Sequence, residues 1–205
     1  MLNEYENLYR GEAVMGIDEA GRGPLCGPLA VGCCILPEGY QNEEINDSKK
    51  LTARKREKLF EVIKNDAVYW KVLLVDPETI DRKNIYAATR DAMKELALSG
   101  ECRIILTDAM PFELPGKTVI PIIKGDAKSI SIAAASILAK VTRDRIMEEY
   151  DRMYPQYEFA KHKGYPTKRH LELLERYGVL PIYRKSYRPV AKLIEEKENP
   201  DLFHM

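Results

Sequence analysis

Three short apolar runs in this chain lead into carboxylates, and that placement limits the fold more than any other feature. Ala13–Ile17 runs into Asp18-Glu19, Arg103–Thr107 into Asp108, and Thr118–Ile123 reaches Asp126 through Lys124-Gly125. Runs of this length, bounded by charged and turn residues, read as buried strands. Leu29–Leu36 and Val68–Val75 supply two more. Between and after them lie helical spacings: Leu59, Val62 and Ile63 behind a Thr52 start, and Ile85, Ala88, Ala92, Met93 and Leu96 up to Gly100. A longer one runs from Ser129 through Ile132, Ala135, Ala139, Ile146 and Tyr150 to Pro155, and a last one from Thr167 to Gly178. Strands alternating with helices predict an α/β core over about residues 14–150 and a helical C-terminal part over about 151–205. At 205 residues a single domain is the expectation.

In α/β sheets, groups at strand C-termini converge on one edge, where ligands bind. Asp18, Glu19, Asp108 and Asp126 gathered there would repel one another unless a cation offset them. Oxygen-only donors with no His or Cys nearby favour Mg²⁺ or Mn²⁺. Two such ions, ~4 Å apart, activate a water on one side of a phosphodiester and stabilise the leaving oxygen on the other. The plainer reading is that strand-end acids are solvated residues or helix caps, with Asp126 before the Ser129 helix the clearest case.

The glycines after the first acids are a second signal. Gly21-x-Gly-x-x-x-Gly27 is out of register with the dinucleotide fingerprint, and the two carboxylates before it would repel a pyrophosphate. The run instead permits backbone groups to approach a sugar or phosphate, or is only a tight turn joining two strands.

Charge enters through its distribution. Lys+Arg and Asp+Glu both number 32, yet residues 127–192 carry a net +7 while the tail from Leu193 carries −3. A basic third beside an acidic remainder suits a polyanion partner despite the zero sum. The longest uncharged stretch, Pro24–Pro37, is too short and too broken by Pro and Gly to span a membrane. The acidic N-terminus does not read as a secretory signal. Four cysteines without a Cys-x-x-Cys pair suggest reduced thiols in a cytoplasmic protein.

The blocks Gly16-Ile-Asp-Glu-Ala-Gly-Arg-Gly-Pro-Leu25, Asn46-Asp-Ser-Lys-Lys-Leu51, Lys124-Gly-Asp126, Ala133–Asp144 and His162-Lys-Gly-Tyr-Pro-Thr167 follow one another from about residue 14 to Val190. In that order they resemble the bacterial type of ribonuclease HII. The resemblance implies an RNase H-like fold with a central mixed β-sheet flanked by helices. It also implies hydrolysis of the RNA strand of RNA–DNA hybrids and incision of duplex DNA on the 5′ side of embedded ribonucleotides, leaving 3′-hydroxyl and 5′-phosphate ends. Asp18, Glu19, Asp108 and Asp126 would then be the catalytic, metal-binding acids. Gly21, Arg22 and Gly23 would meet the ribose 2′-OH, the group that separates RNA from DNA, and Tyr165 would stack on the following sugar. Lys49, Lys50, Ser136, Lys140, Arg143, His162 and Lys163 are the candidate substrate contacts, with Arg184, Lys185 and Arg188 further basic candidates. Each of these charges could equally be a solvated surface residue.

Two departures stand out. The family usually has Gly after its third acid, where this chain has Ala109, which would narrow the approach if the backbone needs positive φ. The tail Asn199-Pro-Asp-Leu-Phe-His-Met carries no Gln-x-x-Leu-x-x-Phe-Phe sequence, so a sliding-clamp tether is not expected, and a monomer is the default. The alternatives are a ribonuclease HIII-like hybrid nuclease, against which the Gly21-Arg22-Gly23 and Tyr165 blocks argue, and a non-catalytic hybrid-binding module, which would have no use for the acids.

Overall fold

The computed structural model describes residues 2–198 and divides into two compact units. The first holds residues up to Ala20, Ala30–Leu74 and Thr89–Thr142, and the second holds Gly21–Leu29, Val75–Ala88 and the chain from Arg143 onward. The second is therefore not the C-terminal stretch alone. Two earlier segments join it.

The first unit is built on a mixed sheet. β1 (Val14–Ala20) pairs antiparallel with β2 (Leu29–Ile35), in register from Met15 opposite Ile35 to Ala20 opposite Ala30. After α1 (Ala53–Asp66), β3 (Tyr69–Val75), α2 (Pro77–Lys83) and α3 (Ile85–Ser99), the strands β4 (Ile104–Asp108) and β5 (Thr118–Ile122) add in parallel on the other side of β1. The strand order is β3-β2-β1-β4-β5. The 24-residue helix α4 (Ile130–Met153) follows.

Small residues let α4 approach the strands closely. A Cβ on Gly16 would fall on the Ser131–Ile132 backbone, and one on Gly32 would stand 2.5 Å from the Ala135 carbonyl oxygen. Ala133, Ala134 and Ala135 supply the matching surface of the helix and pack with Cys34, Leu59, Phe60, Ile63, Ile137 and Leu138. Each fully buried Leu, Ile or Phe there stabilises the fold by about 1.5–3 kcal/mol, and a branched side chain at Gly32 would cost at least about 1–3 kcal/mol through overpacking.

The connection from β1 to β2 is not the tight turn its glycines suggest. Residues 21–28 form a longer loop whose backbone finds partners elsewhere in the second unit: Leu25 N–H donates to Gly164 O, and Gly27 N–H to Ile182 O. Buried backbone groups need such partners, and a two-residue turn would not have reached them.

The second unit contains α2, the end of α4, α5 (Phe159–His162), α6 (Lys168–Tyr177) and α7 (Arg188–Glu198). Thr167 caps α6 by accepting from His170 N–H, and Gly178 ends it at φ 89°. Its core joins Leu25, Cys26, Met147, Tyr157, Phe159, Leu174, Tyr183 and Val190. Among the described residues no helix is long and apolar enough to cross a membrane. All four cysteines are free thiols. The tail considered for clamp binding, from Asn199, lies outside the described residues.

Candidate active site

Three neighbouring strands place the acids, although β1 does not end at Asp18 as its apolar run suggests but continues to Ala20. Asp18 stands on β1 beside Gly32 of β2, Asp108 is the last residue of β4, and Asp126 occupies a turn of 3-10 helix, Gly125–Ala127, just after β5. Gly125 N–H donates to Asp108 Oδ1 at 2.8 Å, which ties the third acid to the turn of the fourth. Asp126 is not a cap of α4. Ser129 does that, its Oγ accepting from Ile132 N–H at 3.2 Å. One carboxylate oxygen each from Asp18, Asp108 and Asp126 lie within 4.8 Å of one another. Glu19 falls outside this trio, since successive strand residues face opposite sides of a sheet, although its charge still acts on Asp18.

Burial, then the charges of Glu19 and Asp108, hold the Asp18 carboxyl well above its ordinary range, against hydrogen bonds from the Glu19 amide and the Ser136 hydroxyl. Asp126 is raised by burial and by Asp47 and Asp108, while Lys49, 3.7 Å away, partly offsets them. Desolvation lowers the Lys49 ammonium, but the carboxylates of Asp126, Asp18, Asp47 and Asp108 together outweigh it and leave it raised. This is a cluster of carboxylates whose charge Lys49 only partly offsets, with oxygen donors only, and it fits a hard divalent cation. Asp47, which the strand pattern does not single out, is part of that field. Its signal lay in the Asn46–Leu51 block.

Ser136 lies inside, 4% exposed, with its Oγ 2.7 Å from Ser48 Oγ and a hydrogen bond to Asp18. Expected as a substrate contact, it instead links α4 and the Ser48 turn to the first acid. Lys140, four residues on, is half-buried, whereas Lys49 and Lys50 are exposed.

In the second unit two buried arginines shape the glycine loop. Arg184 donates to the carbonyls of Gly21 (2.7 Å), Arg22 (3.1 Å) and Gly27 (3.0 Å), and Tyr187 Oη–H donates to Arg22 O at 2.6 Å. With those carbonyls turned inward, the Arg22 and Gly23 residues remain exposed. Arg143, expected on a phosphate, is 1% exposed and donates to the carbonyls of Pro28, Lys163 and Cys26 at 3.0, 2.9 and 3.2 Å. That corrects its assignment: three of its five N–H groups are spent on backbone carbonyls, and the side chain is almost wholly removed from the surface where a phosphate would lie. Burial and the neighbouring Arg184 lower it to about 10.

His162 is likewise internal: it is 8% exposed and hydrogen-bonds to Tyr157 O and Gly164 N–H, so it is not a phosphate contact either. Lys163 Nζ pairs with Glu148 at 2.7 Å. Tyr165 is 43% exposed, and its ring stands 3.5 Å from where a Cβ on Gly23 would be. The glycine loop and the Tyr165 turn therefore meet, although Gly23 and Tyr165 are 142 residues apart in sequence.

The ribonuclease HII family profile matches residues 15–190. The ribonuclease HII of Caldanaerobacter subterraneus subsp. tengcongensis is 55% identical over 185 residues, 89% of this chain and 76% of its own. The crystal structure of ribonuclease H2 from Pyrococcus horikoshii superposes with a TM-score of 0.77 at 32% identity, covering 91% of this chain and 99% of that one. Bst-ribonuclease HIII, solved in complex with Mn²⁺, matches at 0.66 and 16% identity over 90% of this chain and 70% of its own, a likeness of fold. The mixed five-stranded sheet is thus RNase H-like, its strand ends hold the acidic cluster, and the chain belongs to the ribonuclease HII family of ribonuclease H enzymes.

Proposed function

We propose that this enzyme hydrolyses the RNA strand of RNA–DNA hybrids and cuts duplex DNA on the 5′ side of embedded ribonucleotides. The observation that carries the reading is the convergence of Asp18, Asp108 and Asp126 within 4.8 Å on β1, at the end of β4 and just after β5 of an RNase H-like sheet. Mg²⁺ or Mn²⁺ held there, two ions in the substrate complex, would neutralise charge on the scissile phosphate and favour attack by water. Water adds to phosphorus as the bond to the upstream O3′ breaks. The upstream strand keeps a 3′-hydroxyl, and the ribonucleotide keeps a 5′-phosphate and its 2′-OH. Ser136 and the Glu19 amide hold Asp18 in place, Glu19 completes the acidic set from outside the trio, and Lys49 sits where a phosphate would replace its contact with Asp126, with the exposed Lys50 next to it in sequence.

Recognition belongs to the second unit in this reading. Gly21, Arg22 and Gly23 meet the 2′-OH, largely through backbone groups, and Tyr165 stacks on the next sugar. The family match runs through both units, which supports one functional domain over the chain. Four free thiols, three of them buried, support a reducing compartment such as the cytoplasm, and a monomer suffices for the chemistry.

The test is Mg²⁺- or Mn²⁺-dependent cleavage of a duplex carrying one ribonucleotide. Asp18→Asn and Asp126→Asn are expected to lower it by at least ~10³-fold, equivalent to ~4 kcal/mol of transition-state stabilisation, while binding persists. Robust cleavage by both variants would defeat the assignment. Wild-type cleavage confined to continuous RNA would point to the ribonuclease HIII-like activity, and no cleavage at all to a binding module.

A further inference from the structure

Two imidazoles grip the turn that carries Tyr165. His162 and His170 are buried and stack with ring centroids 4.0 Å apart. Gly164 N–H donates to His162 Nδ1 at 3.1 Å, so that nitrogen is unprotonated and Nε2–H donates to Tyr157 O at 2.8 Å. His170 is the opposite tautomer: its Nδ1 faces the Tyr165 carbonyl at 2.9 Å and carries the proton, while Nε2 accepts from the Tyr183 hydroxyl at 2.8 Å. Each ring is neutral, and together they hold the N–H of Gly164 and the C=O of Tyr165.

The turn needs such a grip. Lys163 and Gly164 both have left-handed backbones, φ 50° and 84°, and a Cβ on Gly164 would stand 3.0 Å from the Cys26 carbonyl and thiol. The Tyr165 ring leaves this bend exposed, while the two histidines lie beneath it at 8% and 0% exposure, out of reach of substrate.

We propose that His170 is a positioning residue for substrate discrimination: by fixing the Tyr165 backbone it sets where the aromatic ring stands, and so the preference for an isolated ribonucleotide followed by DNA over continuous RNA. This rests on the reading of Tyr165 given above. The acting groups are the Nδ1–H donor and the Tyr183-ordered tautomer.

The experiment compares kcat/KM on a one-ribonucleotide duplex with that on a long hybrid, expressed as a ratio. His170→Phe keeps a flat ring against His162 and loses both hydrogen bonds, and the ratio is expected to fall about tenfold, since small misplacements of a positioning group have effects of that order or more. His170→Asn puts an amide N–H where Nδ1–H stood and should recover most of it. Tyr183→Phe, which spares the packing, should shift the ratio about two- to threefold in the same direction through loss of one hydrogen bond.

On a Tyr165→Ala background, His170→Phe should leave the ratio where Tyr165→Ala alone put it, as expected of residues that act through one another. Amide exchange across residues 164–167 should quicken in His170→Phe and not in Tyr165→Ala. If Tyr165→Ala lowers the ratio while folded His170→Phe and Tyr183→Phe leave it unchanged, the positioning role is overturned and the Tyr165 reading survives. An unchanged ratio in Tyr165→Ala removes both.

Discussion

The two units hold their functional groups by opposite means. In the unit that carries the sheet, three aspartates of like charge are brought within 4.8 Å, and burial and mutual repulsion push Asp18 and Asp126 upward. In the other, every buried polar group named here has a counterpart. Arg143 and Arg184 are met by backbone carbonyls, and His162 and His170 are neutral rings with both nitrogens satisfied. In the function proposed, a cation site is made by leaving charge only partly matched, so its acids work against the metal-free fold. The surface that presents the glycine loop and Tyr165 is backed by buried groups that are matched, so under the proposed recognition role its function and its stability would coincide.

The sharpest way to break this contrast is at Arg184. Arg184→Met keeps the apolar bulk but leaves the carbonyls of Gly21 and Gly27 without this donor and that of Arg22 with Tyr187 alone, and each buried acceptor left unsatisfied costs about 1–3 kcal/mol. Allowing for partial relaxation, a loss of about 3–5 kcal/mol is expected in urea unfolding. A loss below ~1 kcal/mol would mean that the loop does not depend on its clamp, and the contrast would fail.

Acid is the next lever. Burial, and the neighbouring His162, hold His170 down to about 4, and burial lowers His162 as well, against the attraction of Glu158 and Asp151. The sign follows from neutral rings in the folded state. Above pH ~6.5 neither state is protonated, and between ~6.5 and ~4 the unfolded chain takes up a proton that the folded one refuses. Stability therefore falls as pH drops through that window, by on the order of 3 kcal/mol from His170. In His170→Phe this slope should diminish. An unaltered slope would place the acid sensitivity elsewhere.

The first unit should respond with the opposite sign. Asp18→Asn removes a like charge from the cluster and, without metal, is expected to raise stability by about 1 kcal/mol, the usual size of a gain when a functional charge is relaxed. Added Mg²⁺ should stabilise the wild type and hardly the variant, as binding to the folded state alone requires. A metal-free loss of stability in Asp18→Asn would show the carboxylate to be matched after all.

The same contrast explains what was legible in the sequence. Strand ends are local, so apolar runs closing on Asp18, Asp108 and Asp126 could be read directly, as could the start of α6 at Thr167 and its stop at Gly178. α2 is too short to show an apolar period, although Asp76 followed by Pro77 is an N-terminal signature, Asp76 accepting from Thr79 N–H. Glu19 could not be separated from Asp18 by spacing, because the difference lies in the alternation of β1. The second unit was less legible. Whether Arg143 faces a phosphate or a carbonyl depends on Cys26 and Pro28, from a segment far away in sequence, and the His162 partners Tyr157 and Gly164, though near in sequence, belong to a turn of left-handed residues that no apolar periodicity encodes. Basic residues there read as surface charge when two are interior clamps.

The smallest effect tests whether the first unit also strains its backbone around the acids. Ala109, directly after Asp108, has φ 52°, and Lys124, two before Asp126, has φ 58°. The positive φ that would make the missing family glycine matter is therefore present. Left-handed backbone costs a residue with a Cβ about 1–2 kcal/mol, while glycine adds about 0.4–1 kcal/mol of unfolded-state entropy, so Ala109→Gly should gain roughly 0.5–1 kcal/mol net. In a domain of this size that is a rise of about 1–4 °C in Tm. Ala109 is exposed and its N–H donates to Ile122 O at 3.1 Å, so the exchange disturbs neither packing nor that bond. Cleavage should persist, since the Asp108 carboxylate stays tied to Gly125. A fall in Tm would mean that Ala109 is held without strain, and that the tension in this unit is confined to its charges.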